Sequence, residues 1–166
     1  MEKQLKTNVS IDTEKLQIHV SREFDAPRDL VFKAHTDPAL MAQWWGPSKY
    51  TIFVRKMDAR PGGQWHMTHR GTDGDEHEFY GEFIEIVPPS KIVWTFTWGG
   101  APGDVSVETN NFEDIGGRTR ITAVSQYKTL EALQGMAQSG MEEGMIETYG
   151  RLDELLRRLQ KGENKG

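Results

Sequence analysis

Phe32-Lys33-Ala34-His35-Thr36-Asp37-Pro38, closed by Trp44-Trp45-Gly46-Pro47, is the stretch that decides how this chain folds. Two adjacent tryptophans ahead of a Gly-Pro stop need a defined place to go. Upstream, Asp25-Ala26-Pro27 reads as a helix start, with Pro27 in the first turn. Leu30, Val31 and Ala34 give that short helix a buried side. Thr36-Asp37-Pro38 restarts a second short helix with Leu40, Met41 and Trp44 inward, and Gly46-Pro47 ends it. Before Asp25, the residues Leu16, Ile18, Val20 and Phe24 follow the period of a half-buried strand.

Downstream, strand patterns alternate with turn signals. Tyr50 to Met57, Gln64 to Arg70, Glu76 to Val87 and Ile92 to Trp98 are separated by Arg60-Pro61-Gly62-Gly63, by Gly71-Thr72-Asp73-Gly74-Asp75 and by Pro88-Pro89. Val105 to Glu113 alternates weakly. Thr119 to Tyr127 places Thr119, Ile121, Ala123, Ser125 and Tyr127 on one face. The period then changes to three and four, from Leu130 to Leu159, which predicts one amphipathic helix of roughly eight turns. Strand, two short helices, six strands and a long helix make an α+β chain. Its curved antiparallel sheet of about seven strands wraps the C-terminal helix and leaves space between them. Residues 1–14 read as a polar leader, 15–160 as a single domain and 161–166 as a polar tail.

Composition narrows the chemistry. With 166 residues the chain is long enough to bury a core without staples, and it has no cysteine. Disulfide frameworks, thiolate metal sites and cysteine nucleophiles are thereby excluded. A net charge of −5 with scattered lysines and arginines speaks against nucleic-acid binding. No apolar run is long enough for a membrane span, and the N-terminus lacks a signal-peptide core, so a cytoplasmic location is expected. No hydrolase elbow, zinc-protease motif, phosphate loop or dinucleotide fingerprint is present.

Five motifs occur in order: Phe32 to Pro38, Trp44 to Pro47, Arg60 to Gly63, Gly81 with Val87-Pro88-Pro89, and Gly144 with Leu152-Asp153-Glu154-Leu155-Leu156. Together they resemble the homologues of the C-terminal domain of the heat-shock protein 90 ATPase activator. That family lies in the START-like, polyketide-cyclase-like (SRPBCC) superfamily with the helix-grip fold. The resemblance spans about Leu16 to Leu159. It implies a cavity between sheet and long helix suited to an apolar or mixed ligand. The eukaryotic namesake's separate chaperone-binding domain has no counterpart in the 15 residues before Leu16, so a chaperone interaction is not expected. Met145 departs from the aromatic residue that usually follows the glycine matched by Gly144. His35 stands where an aromatic or aliphatic residue is more common.

The candidate site follows from which residues point inward. Trp65, Met67 and His69 alternate on one strand, and Trp94, Phe96 and Trp98 on another. With Tyr127, Met141 and Met145 they form the expected lining for a hydrophobic or aromatic small molecule, with His69 and Tyr127 as polar handles. The plainer reading of the same aromatics and methionines is ordinary core. Gly135, Gly140 and Gly144 allow either close packing of helix on sheet or room for a ligand. His66 and His69 point to opposite faces of a strand, so neither a metal nor a cofactor is expected. Three readings stand at this stage: a ligand-binding protein, which leads; a cyclase- or hydrolase-type enzyme using His69 or Tyr127 as acid or base; and a chaperone-interacting module. A homodimer through edge strands stays open.

Overall fold

A computed structural model of the chain describes residues 6–162. Residues 1–5 of the expected leader, and 163–166 of the expected tail, lie outside them. The sheet has eight strands rather than about seven. The additional one, β1 (Asn8–Asp12), falls within the segment read as a leader and pairs antiparallel with β2 (Gln17–Phe24). As an edge strand it needs only one paired side, and Val9 opposite Val20 and Ile11 opposite Ile18 are its whole apolar contribution. Helices α1 (Arg28–Thr36) and α2 (Pro38–Trp44) follow. Then come β3 (Tyr50–Met57), β4 (Gln64–Gly71), β5 (Glu76–Val87), β6 (Lys91–Trp98), β7 (Ser106–Asp114) and β8 (Thr119–Gln126). The order across the sheet is β1-β2-β8-β7-β6-β5-β4-β3, every pair antiparallel. Register shifts at Val54/Lys56 and Phe83/Glu85 interrupt the ladder, and such bulges bend a sheet.

Asp37 ends one helix and starts the next. Its extended backbone (φ −94°, ψ 118°) is the conformation favoured before Pro38, and its carboxylate accepts from the Ala39 and Leu40 amides. The expected single C-terminal helix is two helices. α3 (Leu130–Ala137) stops and α4 (Met141–Gln160) begins after Gly140, whose φ of +85° is left-handed. A side chain there would carry the usual left-handed penalty, so the break falls where glycine permits it.

The core lies between the sheet and the helices. Ile18, Phe24, Trp65, Met67, Phe83, Phe112 and Ile121 from the sheet meet Val31, Trp44, Tyr149, Leu152, Leu155 and Leu156. Burying each such side chain is worth about 1.5–3 kcal/mol. Along α4 the fully buried positions begin only at Thr148, while Met141 and Met145 are half-buried. The C-terminal part of the helix therefore grips the sheet, and its first turns are less deeply buried. This is the helix-grip arrangement. Among the described residues no helix is long and apolar enough to cross a membrane.

Candidate functional site

Trp44 and Trp45 separate the two sides of the interior. Trp44, still helical, turns toward His35 and Tyr149 and donates its indole N–H to the Ala34 carbonyl at 2.9 Å. Trp45 is the C-cap, with extended backbone, and points the other way. It meets His69, Trp65, Phe79, Trp94 and Phe96 at ring-centroid distances of 4.9 to 6.5 Å. Beneath it Trp65 and Trp94 stack at 4.2 Å, with Phe96 5.8 Å from Trp65. Trp65 crosses to β5 opposite Gly81, where any Cβ would collide with the Thr95 carbonyl, and donates to that carbonyl at 3.1 Å.

The structure therefore brings Trp65, His69, Trp94 and Phe96 together around Trp45. Met67 is fully buried below them, opposite Phe79. Trp98 is 41% exposed and sits at the rim, its ring 6.3 Å from His77. Tyr127 lies beyond the end of β8, buried, with Ser106 and Ser125 as hydrogen-bond partners. Met141 and Met145 pack half-buried against the core from α4. The three glycines resolve in one direction: a Cβ on Gly135, Gly140 or Gly144 would meet nothing within 4 Å. Close helix–sheet packing at these glycines is not what the structure has.

The loop after Trp45 is held by α4. Arg151 donates to the Gly46 carbonyl at 2.6 Å and to the Gln43 carbonyl at 3.0 Å. Glu147 accepts from the Ser48 amide at 2.9 Å and its hydroxyl at 2.6 Å. Gly46 is left-handed at φ +83°, and a Cβ on it would lie 2.6 Å from His69 Cε1.

His69 is 5% exposed, and its Nε2 has no hydrogen-bond partner among the described residues. Burial pushes its imidazole down to about 4, with the charges of His77 and Arg151 adding to the shift. It is a neutral ring at neutral pH. Burial, followed by the charge of Glu108, pushes the Tyr127 phenol up to about 12. No relay joins His69 to Tyr127 among the described residues. His66, on the outer face, instead pairs with Glu78 at 2.6 Å. No group of three or more potential metal ligands occurs among the described residues. An open groove of about 460 Å³ along the β1–β2 hairpin is lined by Ser10 to Glu14 and His19; none of the expected site residues borders it.

One functional candidate escaped the sequence reading. Glu108 is on β7 opposite Trp94 and Ser125, hence on the same covered face. Its carboxylate accepts from Trp94 Nε1 (2.9 Å), Asn110 Nδ2 (3.1 Å) and the Ser125 hydroxyl (3.1 Å). The signal was available: Phe112 is inward, and period two then places Asn110, Glu108 and Ser106 inward as well. Phe96, Glu108 and Ser125 all keep partial solvent access although helices cover this face.

The sequence profile described as "Activator of Hsp90 ATPase homolog 1-like protein" matches residues 25–157. Among solved structures, protein Ms6760 from Mycobacterium smegmatis is 29% identical with a TM-score of 0.82, over 90% of this chain and 96% of that one. A protein from Arthrobacter aurescens, solved by solution NMR, is 30% identical with a TM-score of 0.84, over 91% of each chain. A Staphylococcus epidermidis protein, also solved by NMR, is 27% identical with a TM-score of 0.78, over 90% and 94%. No curated protein matches the chain.

Proposed function

The chain belongs to the family of Activator of Hsp90 ATPase homolog 1-like proteins, and from that premise we propose that it binds an apolar or aromatic small molecule between the sheet and the α3–α4 break. One observation carries the reading. Phe96, Glu108 and Ser125 on the covered face keep solvent access, and a Cβ on the α4 glycine Gly144 would meet nothing within 4 Å. A solid core would fill that space, since interiors pack at crystal-like density. Trp45 and Phe96 supply planar apolar surface, and Met141 and Met145 adapt to irregular shapes. The scaffold holds its ligand without a cofactor and works in the cytoplasm.

Quenching of intrinsic tryptophan fluorescence by N-phenyl-naphthylamine, a neutral aromatic probe, tests the proposal. Saturable micromolar binding, reduced by Gly144→Leu, is the expected result. Unsaturable quenching, or binding indifferent to Gly144→Leu, would remove it. Native mass spectrometry of the freshly purified protein then reads the mass of any resident compound.

A further inference from the structure

The covered face of the sheet carries a carboxylate, Glu108, that forms no ion pair among the described residues. Glu108 lies on a central strand, on the covered face, and keeps partial solvent access. All three groups that bond its carboxylate are neutral: an indole N–H, an amide and a hydroxyl. Among the described residues it makes no ion pair. Burial, followed by the charge of Glu108, pushes both the Tyr127 and the Tyr149 phenols up. Arg22, the cation that Tyr149 also feels, is occupied elsewhere: it donates to the Tyr149 carbonyl at 2.8 Å and lies over the Phe24 ring.

A half-buried carboxylate is costly unless something opposes its charge. Its setting is aromatic. Trp94, which stacks on Trp65 and meets Trp45, donates directly to it through its indole N–H. Each neutral donor fixes the rotamer of Glu108 without removing its charge, so the carboxylate is oriented in advance of any ligand.

We propose that the ligand is an organic cation, an amine or ammonium with an apolar or aromatic body, whose charged head pairs with Glu108 while the body lies against Phe96, Met141 and Met145. The proposal rests on the small-molecule reading above and adds the charge of the ligand to it. The same carboxylate repels anionic ligands of equal shape, which gives the site selectivity by sign.

Three probes sharing one ring system separate the claims: naphthylmethylammonium, naphthylmethanol and naphthoate, titrated calorimetrically at neutral pH. The ammonium should bind about tenfold or more tightly than the alcohol, and naphthoate weakest, as a charge-assisted pair is worth at least that ratio. Glu108→Gln should bring ammonium and alcohol to within about twofold, while Glu108→Asp, which keeps the charge, preserves the order. Should Glu108→Gln not fold, carbon NMR of the wild-type protein decides, since the Glu108 carboxyl resonance must move on adding the ammonium and not on adding the alcohol. Binding of the alcohol with no advantage for the ammonium overturns this inference and leaves small-molecule binding standing. So does a preference that survives Glu108→Gln, or an unmoved carboxyl resonance. Failure of all three probes to bind overturns both.

Discussion

Replacing Gly144 with alanine tests the proposed opening under α4 without any ligand. Gly144 is the fourth residue of α4, its amide donates to the Gly140 carbonyl at 3.0 Å, and its φ is not left-handed. A methyl group there meets nothing within 4 Å. It therefore creates no clash and gains almost no packing. What remains is the backbone: glycine in a helix interior is about 0.8–1 kcal/mol worse than alanine. Position in the first turns trims this, so Gly144→Ala should stabilise by about 0.5–1 kcal/mol. For a domain of this size that raises Tm by about 2–3 °C. In urea, the midpoint should rise with an unchanged m-value. A destabilised Gly144→Ala protein would mean that helix and sheet touch at this point. The space on which the binding proposal depends would then not exist. Gly144→Leu extends the same experiment, because a larger side chain occupies the opening and should spare stability while weakening N-phenyl-naphthylamine binding.

Gly46→Ala should behave oppositely to Gly144→Ala. It combines a left-handed φ with a Cβ 2.6 Å from His69 Cε1, and urea unfolding should show a loss of about 2–4 kcal/mol. Arg151→Met removes its hydrogen bonds to the Gly46 and Gln43 carbonyls, costing about 1–3 kcal/mol; amide exchange at Ser48 should accelerate, and an unchanged rate would show that Glu147 alone holds the loop. Stability should fall in mild acid, because burial holds the His35 and His69 imidazoles at about 4 in the fold against 6.5 for an unperturbed ring. The unfolded chain thus takes up protons that the fold refuses: stability is full above 6.5 and declines as pH falls toward 4, by up to about 1.4 kcal/mol per pH unit for each histidine. Urea midpoints between about pH 6.5 and 5 measure the slope, and His69→Phe should lessen it; an identical slope in that variant would place His69 in water.

Much of this architecture is legible in the sequence because local chemistry and tertiary packing agree. Asp37-Pro38 must end one helix and can begin another, and the Glu76 to Val87 run is a strand by period alone. Legibility fails where the outcome depends on a partner or on one torsion angle. Asn8–Asp12 has too few apolar residues to declare itself, and only the hydrogen bonds offered by β2 make it a strand. The turn at Gln138 to Gly140 is invisible in a pattern whose apolar spacing runs on unbroken. Three glycines could each have hosted it, and φ at Gly140 decides. Trp45 was seen but not placed, because two neighbouring tryptophans diverge only when the helix stops between them.

The candidate site shows the same division more sharply. Aromatic alternation located Trp65, Trp94 and Phe96 because apolar residues advertise an inward face. The inward face of β7 carries Ser106, Glu108 and Asn110, and polar residues there look like the absence of a pattern. Yet a polar residue held inside is the more informative one, since an apolar core needs no charge and tolerates one only where hydrogen bonds and room for water or a ligand offset its desolvation. Here the hydrogen bonds come from Trp94, Asn110 and Ser125, and the side chain keeps partial solvent access. Beyond Thr148, α4 seals the core with Tyr149, Leu152, Leu155 and Leu156; before it, Gly144 and the half-buried Met141 and Met145 leave the helix less deeply packed. Had packing been the only demand on the first turns of α4, leucine at Gly144 and Met145 would have satisfied it. The same helix thus grips with one half and is less deeply buried in the other, and on the proposed reading the carboxylate of Glu108 sets the polarity of the ligand that half would cover.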